Sequence, residues 1–301
     1  MPPARILAVV TATLGLSFGV VFAGSTSQKL EAKPTQILQG DIAELRVSGT
    51  GLISVEGRIG KETIRFYPAG REIYSALIGV DLQAKPGLTK ILLRATTRNG
   101  GHREGQITLN IKPKKFQEES FSVPQEFDQF SPDVLERIRL DQERFARAFT
   151  ISVSERLWEA QFIRPAQADI SSPFGYRRVI NGTPRAPHTG VDLRVPTGTE
   201  VLASNRGRIV LVGDFFFSGN SVVIDHGGGL HTMYFHLSEI KVVEGAEVHK
   251  GEVIGLSGMT GRVSGPHLHW AARLNGARID PFELLKKLGG ASHGDLHPIV
   301  E

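Results

Sequence analysis

The chain has 301 residues, a length that favours two domains over one. Hydrophobic residues make up 40% of it and charged residues 22%, which is typical of a folded soluble protein. The net charge of +4 favours an anionic partner such as a cell wall, and without a dense run of Lys and Arg it argues against nucleic acid. The sequence has no cysteine, which excludes disulfides and thiolate chemistry, so any metal would be held by His, Asp or Glu.

The first residues predict an export signal. A basic start at residues 1–5 precedes an apolar run at 6–23, which ends in Val21-Phe22-Ala23 with the small residue expected at a cleavage site. We therefore expect a signal peptide over residues 1–23 and an exported protein in the periplasm or cell wall. The alternative is an uncleaved membrane anchor, because the run is nearly long enough to span a bilayer. The oligomeric state is left open.

Residues 30–115 are predicted to form a β-sandwich. Short runs with strand composition alternate with turn sequences such as Asn99-Gly100-Gly101. This spacing is typical of a sandwich. The predicted strands are 43–47, 63–66, 75–80, 90–95 and 106–111. This half contains no cluster of catalytic residue types.

Residues 116–163 are predicted to be a linker that contains a helix over 131–149. Ser131 supplies an N-cap and Pro132 the first helical position. Apolar residues follow at helical spacing. They are Val134, Leu135, Ile138, Phe145 and Phe149. We expect the helix to join the two halves, and the alternative is that it limits access to the functional site.

Residues 164–288 predict an antiparallel β domain with tight, glycine-rich hairpins. The clearest strand patterns are 208–212, 220–225, 230–235, 252–257 and 267–274. Residues 289–301 are polar and glycine-rich and are predicted to be a loose tail.

Two histidine motifs in this domain suggest a metal site. His267 and His269 flank one residue, so on a strand both imidazoles face the same side, although two half-exposed histidines are a common alternative for an isolated pair. His188 and Asp192 form a second pair, four positions apart. Two imidazoles and one carboxylate suit zinc and leave a fourth position for water, as in catalytic zinc sites. The residues alone do not tell which histidine of the first pair would bind the metal.

A zinc site of this kind would hydrolyse a peptide bond. Zinc lowers the pKa of a bound water towards ~7 and polarises a carbonyl. A general base and a group that stabilises the oxyanion are also needed, and two further histidines can supply them. The sequence lacks an H-E-x-x-H helix, which rules out the thermolysin arrangement.

Five stretches carry a family resemblance. They are Ser172-Pro173-Phe174-Gly175, His188-Thr189-Gly190-Val191-Asp192-Leu193, Ile224-Asp225-His226-Gly227, Tyr234-Phe235-His236-Leu237-Ser238 and Gly265-Pro266-His267-Leu268-His269-Trp270. In their joint order and spacing the chain resembles the M23 family of metallopeptidases, the LytM and lysostaphin-like group, over residues 164–285.

The resemblance implies the roles of five residues. His188, Asp192 and His269 would hold one zinc ion, and His236 and His267 would be the catalytic pair. The implied fold is an antiparallel sheet with a groove over the zinc, preceded by an immunoglobulin-like domain. The implied substrate is the peptide cross-link of bacterial peptidoglycan stem peptides, with a D-alanyl-diaminopimelate bond favoured over glycyl-glycine. The alternative is a non-catalytic cell-wall scaffold or amidase activator, which the intact set of five residues argues against.

Other residues are weighed between binding and structural roles. Four residues are predicted to line the substrate groove: Arg177, Arg178, Asn181 and Phe216. The alternative is that the arginines are ordinary exposed residues and that the aromatic loop packs on the domain. His226 and His231 are predicted to be strand-end or surface residues, and the alternative is that they orient the metal ligands.

Overall fold

The computed structural model of the protein describes residues 28–122, 130–159 and 161–288. The predicted signal at 1–23 and the predicted tail at 289–301 lie outside the described residues. Strands dominate both halves, so the predicted mainly β fold is confirmed. Neither helix in the described part of the chain is long and apolar enough to cross a membrane.

The N-terminal half consists of two β-sheets that share one core. Its strands are β1 (Gln28–Lys33), β2 (Gln36–Leu38), β3 (Ile42–Gly49), β4 (Leu52–Ile59), β5 (Glu62–Arg65), β6 (Tyr67–Gly70), β7 (Ile73–Gly79), β8 (Gly87–Thr97) and β9 (His102–Lys112). The strand orders are β1-β3-β7-β6 and β2-β9-β8-β4-β5. Strand β8 shows the reason for the packing: Ile91, Leu93 and Ala95 are buried while Leu92 and Arg94 between them are exposed. Apolar side chains of both sheets meet in the core, as expected for the predicted sandwich.

A short strand and a helix connect the halves. Strand β10 (Glu118–Phe121) is followed by helix α1 (Pro132–Thr150). Ser131 precedes the helix with extended backbone, but its side chain makes no capping hydrogen bond. The start of α1 is therefore explained by Pro132, whose φ angle suits the first turn, and by Asp133, whose charge suits a helix N-terminus.

The C-terminal half is built on one large sheet. Its elements are β11 (Ile170–Ser172), β12 (Arg177–Ile180), β13 (Thr183–Pro184), β14 (Gly190–Leu193), β15 (Glu200–Leu202), β16 (Gly207–Phe215), β17 (Gly219–Asp225), β18 (Leu230–Ile240), β19 (Glu247–Val248), β20 (Val253–Ser257), β21 (Leu268–Leu274), β22 (Ala277–Ile279) and α2 (Pro281–Leu288). The main sheet order is β11-β14-β21-β18-β17-β16-β19, with β15, β20 and β22 attached to it.

The segment predicted as a linker packs closely on this half. Strand β10 lies parallel to β12 in a small sheet. The Phe116 ring packs edge-on against Phe174, and Trp158 and Phe162 are buried. The described parts of this segment therefore pack on the folded structure, where Trp158 also contacts Tyr67 of the N-terminal half, and are not a free tether.

The two faces of the main sheet have different neighbours. On β21, Leu268 and Trp270 point into the domain core, whereas His269 and Ala271 point to the opposite face. Phe145 and Phe149 of α1 pack on that opposite face. Helix α1 and the predicted metal-binding histidine therefore share one face of the sheet.

The two halves meet at a tight, partly polar interface. Gly79 lies so close to the C-terminal half that a Cβ atom there would come within 2.7 Å of Ile279. The Arg278 guanidinium donates two hydrogen bonds to Asp81, from Nε to Oδ2 at 2.9 Å and from Nη2 to Oδ1 at 2.7 Å. Burial raises the pKa of the Asp81 carboxyl, but the hydrogen bonds from Arg278 outweigh it and leave the pKa below its usual value.

Asp81→Asn is expected to destabilise the folded chain by about 1–2 kcal/mol, because it removes a charge-assisted pair at a partly buried interface. Calorimetric Tm values measure this. Glu104→Gln is the matched control, since it breaks the exposed Arg94–Glu104 pair and should change stability by less than about 0.5 kcal/mol.

The same pair predicts a pH dependence. The pKa of Asp81 is lowered in the folded state, so the pair stabilises the protein above the ordinary carboxyl pKa of about 4. This contribution is lost as the pH falls through the lowered pKa. The Tm difference between wild type and Asp81→Asn should be constant from about pH 5 to 8 and shrink below about pH 4. A difference that grows in acid would contradict the assignment.

Candidate metal and catalytic site

Strand pairing places Asp192 beside His269. Strands β14 and β21 are antiparallel neighbours, and Asp192 lies directly opposite His269. Gly190 on β14 allows this arrangement, because a Cβ atom there would lie 2.7 Å from His269 Nε2 and 2.5 Å from the Trp270 carbonyl oxygen. His188 precedes β14 and completes a group of three.

The three side chains converge on one point. His188 Nε2 lies 3.0 Å from Asp192 Oδ1 and 3.0 Å from His269 Nδ1, and His269 Nδ1 lies 2.9 Å from Asp192 Oδ1. Among the described residues, this is the one group of three His, Cys, Asp or Glu side chains that could hold a metal ion.

The hydrogen bonding of His188 indicates that a cation belongs between these atoms. His188 Nδ1 lies 2.9 Å from the Pro173 carbonyl oxygen, and a carbonyl only accepts, so Nδ1 carries the proton. With Nδ1 protonated, Nε2 faces a carboxylate oxygen at 3.0 Å, so either a proton or a metal ion belongs between these two atoms. Zinc bonds of 2.0–2.1 Å in a tetrahedral site place ligand atoms about 3.3 Å apart, close to the spacing here. A backbone carbonyl behind a ligating histidine is also the usual arrangement in metal sites.

The protonation states of the group suit metal binding. Burial raises the pKa of Asp192, but hydrogen bonds with His188 and His269 outweigh it and hold the pKa well below its usual range. Burial lowers the pKa of His269, against the opposing effect of Asp192. An ionised carboxylate and a neutral imidazole are the forms that bind a metal.

His236 and His267 lie beside the three-residue group. Their ring centroids are 4.8 Å apart, and His267 Nε2 lies 3.7 Å from Asp192 Oδ1. The Nδ1 atom of His236 donates to the Thr260 carbonyl at 2.9 Å, and that of His267 donates to the Gly265 carbonyl at 2.9 Å. Both rings therefore keep Nε2 free for a ligand.

Burial also keeps His236 neutral. The loss of solvation, reinforced by the neighbouring His269, lowers the pKa of His236 to about 4. A neutral imidazole at pH 7 can accept a proton or a hydrogen bond.

A β-bulge brings His236 to this face of the sheet. Against β17, strand β18 has one extra residue between Tyr234 and Leu237. The Phe235 ring stacks on His269 at 5.3 Å, and the His236 ring, one residue later, also lies 6.1 Å from His269. His236 has a positive φ of 64°, a conformation that a residue other than glycine rarely adopts and that is often found at functional sites. Regular alternation would have pointed His236 away from the site.

A cavity of about 800 Å³ adjoins the site, between α1 and the sheet. His188 and Thr189 line it together with α1, which was predicted to join the two halves, with limited access to the functional site as the alternative. Its lining includes Ile138, Asp141, Gln142, Phe145, Phe149, Tyr176, Phe215, Phe217, Met233, Phe235 and Arg273.

The four residues predicted to line the substrate groove are not among the residues that line this cavity. Arg177 is exposed and its guanidinium lies over the Phe116 ring at 5.7 Å, while the Arg178 side chain is outside the described part of the structure. Asn181 occupies the exposed turn between β12 and β13. Phe216 packs on Phe130, with ring centroids 5.6 Å apart. The residues that do line the cavity include their neighbours in the sequence: Tyr176, next to Arg177, and Phe215 and Phe217, on either side of Phe216.

His226 and His231 were predicted to be strand-end or surface residues: both lie at strand ends, next to the end of β17 and the start of β18, but neither is at the surface. Both are buried. His226 Nδ1 donates to the Arg206 carbonyl at 2.8 Å, and burial lowers its pKa to about 3. His231 Nε2 donates to the Ile151 carbonyl at 3.0 Å. The glycine turn between them is covered by residues 151–158, which shield both rings and anchor the C-terminal end of α1.

Comparisons with known proteins agree with this geometry. The pattern of Peptidase family M23 matches residues 186–281. The DD-carboxypeptidase/endopeptidase Mpg of Neisseria meningitidis is 50% identical over 116 residues, 38% of this chain and 26% of that protein. The peptidoglycan DD-endopeptidase ShyA of Vibrio cholerae is 46% identical over 115 residues, 38% of this chain and 27% of that protein. The match to this chain thus spans about a quarter of the length of each of these relatives.

One solved structure is similar over both halves. A crystal structure described as a candidate M23 peptidase from Pseudomonas aeruginosa matches 84% of this chain and 96% of that chain, with 28% identity and a TM-score of 0.65. The matched region 186–281 contains His188, Asp192, His236, His267 and His269. On the family match, the relatives and this structure together, the chain carries a domain of peptidase family M23.

Proposed function

We propose that the protein is a zinc-dependent endopeptidase that hydrolyses peptide cross-links of bacterial peptidoglycan. The observation that carries this proposal is the convergence of His188, Asp192 and His269 to within 3.0 Å, with the imidazoles of His236 and His267 beside them. An exported location, in the periplasm or cell wall, follows from the proposed substrate and from the signal predicted over residues 1–23.

His188, Asp192 and His269 would hold one zinc ion. Bound zinc supplies Lewis acidity towards a carbonyl oxygen and lowers the pKa of a water molecule. The ligand set would consist of one negatively charged carboxylate and two neutral imidazoles that donate electron pairs. Strands β14 and β21 are neighbours and hold Asp192 and His269 opposite each other. The Pro173 carbonyl holds the His188 ring in the tautomer that leaves Nε2 free.

His236 and His267 would carry out the proton transfers. Each ring is held by a backbone carbonyl at Nδ1, so each presents Nε2 to the same space. Either ring can take a proton of the attacking water at Nε2, and the N–H formed there can donate a hydrogen bond to the developing oxyanion and then pass its proton to the leaving amine. Fixing both rings before the substrate binds lowers the cost of reaching the transition state.

The substrate class is proposed from the relatives. Two similar proteins are named as DD-endopeptidases, one of them explicitly a peptidoglycan enzyme, which favours the D-alanyl-diaminopimelate bond over glycyl-glycine here. Arg177, Arg178, Asn181 and Phe216 are still proposed to contact the wall polymer outside the cavity.

The proposal is tested by digesting purified peptidoglycan sacculi and identifying the products by mass spectrometry. We expect cross-linked dimers to fall to monomers, with loss of activity in the presence of a chelator and recovery on addition of zinc. The cleaved bond follows from the fragment masses. Intact dimers after incubation with a zinc-loaded chain would reject the enzyme and favour the scaffold or amidase activator.

Removal of a catalytic imidazole should separate metal binding from chemistry. His236→Ala and His267→Ala are each expected to retain zinc and to lower kcat by about 10²–10⁴, because proton transfer loses its acceptor or donor. Zinc content by atomic emission and kcat on a cross-linked dimer are the two measurements. A scaffold would keep its function in both variants.

Removal of a ligand should abolish metal binding itself. His188→Ala and His269→Ala are expected to lose most of the one zinc per chain, since two remaining ligands hold zinc poorly. His226→Ala is the matched control, because it removes a buried histidine that is not one of the three proposed ligands. Zinc titration should show a full site in the control, and equal zinc content in all three variants would contradict the assignment.

A further inference from the structure

Among the described residues, the Arg273 side chain in the cavity under α1 forms no ion pair. Arg273 lies on β21, four residues after His269 and on the same face of the strand. Four residues of β-strand span about 13 Å. The cavity is lined both by His188 of the proposed metal site and by Arg273.

The neighbours of Arg273 are already engaged or uncharged. Arg278, its partner across β22, is bound by Asp81, which accepts two of its hydrogen bonds. His231, its partner across β18, bonds to the Ile151 carbonyl, and burial lowers its pKa. No carboxylate of the described residues pairs with Arg273.

An aromatic ring holds the guanidinium in place. Its central carbon lies 4.4 Å from the centroid of Phe149 on α1. A guanidinium stacked on a ring keeps its N–H groups at the edge, and here the side chain makes no hydrogen bond to any described residue. Burial, together with the charge of Arg278, lowers the pKa of Arg273, and the charge of Asp81 offsets this effect only in part.

We propose that this cavity is a substrate subsite in which Arg273 binds a carboxylate of the peptide to be cleaved. The inference rests on the proposed function. Arginine binds a carboxylate through two parallel hydrogen bonds. The apolar walls, which include Phe145, Phe149 and Met233, keep water from competing and strengthen the pair.

The span of about 13 Å between His269 and Arg273 determines which kind of substrate fits. An extended peptide covers 13 Å in about four residues. The ligand is thus a short peptide with a free carboxylate about four residues from the scissile bond. Helix α1 becomes the wall of this subsite, since it supplies both Phe145 and the ring that positions Arg273.

The test compares a cross-linked muropeptide dimer with the same dimer after conversion of its carboxylates to amides. Binding is measured by calorimetry on the zinc-loaded full chain with His236→Ala, in which we expect cleavage to be slowed by about 10²–10⁴. Cleavage is measured on the zinc-loaded wild type. The variants are Arg273→Gln, Arg273→Lys and, as a matched control, Arg94→Gln on the exposed face of β8.

We expect the wild-type site to prefer the free carboxylates by about 10- to 100-fold in Kd and in KM, with kcat changed less than about threefold. Arg273→Gln should abolish this preference, Arg273→Lys should restore part of it, and Arg94→Gln should behave as wild type. Because the two substrates are compared on the wild type as well, the test holds even if Arg273→Gln folds poorly.

Two results would overturn the inference in distinguishable ways. If the wild type cleaves both dimers equally well, the subsite is refuted and the proposed function stands. If the zinc-loaded chain neither binds nor cleaves either dimer, both are refuted.

Discussion

The structure depends on one electrostatic constraint, the convergence of three electron-pair donors on a single point. His188 Nε2 and Asp192 Oδ1 face each other at 3.0 Å, and because the Pro173 carbonyl holds a proton on His188 Nδ1, the two atoms would repel each other without a proton or a metal ion between them. A cation between them turns a repulsion into two bonds. The surrounding fold maintains this arrangement: β14 and β21 hold Asp192 opposite His269, and Gly190 leaves room for the His269 ring. A binding site formed in this way is pre-organised, so little rearrangement is needed when a metal arrives.

The same face of the sheet brings together the metal site, the helix and the cavity. Phe235 stacks on His269, and Phe145 of α1 packs against Phe235 with centroids 5.6 Å apart. The helix is held at its C-terminal end by buried polar contacts, among them the hydrogen bond from Ser152 Oγ to Asp225 Oδ1 at 2.8 Å. Helix α1 is thus coupled through two aromatic rings to a proposed metal ligand. This packing explains how a segment outside the matched family region can shape the environment of the site.

The sequence predicted the central strands and the grouping of histidines, because both follow from local patterns. Alternation in β8 and β21 shows directly which side chains are buried, and the spacing of His267 and His269 puts both on one face. The bulge that turns His236 to that face depends on pairing between β17 and β18 and has no local signal. Strand β10 exists only because β12 pairs with it, and His226 and His231 are buried only because residues 151–158 cover their turn. No motif predicts the role proposed for Arg273, because that role depends on the lack of an ion pair between Arg273 and any described residue.

The most direct test of this account is the position of the metal. Crystals of the zinc-loaded chain would be measured on both sides of the zinc absorption edge, and the anomalous difference map calculated. The account predicts one strong peak within bonding distance of His188 Nε2, His269 Nδ1 and an oxygen of Asp192, about 2.0–2.2 Å from each. His236 and His267 should remain bonded through Nδ1 to their backbone carbonyls. A peak ligated by His236 or His267 in place of His188 or His269, or no peak at this point in a fully loaded crystal, would contradict it.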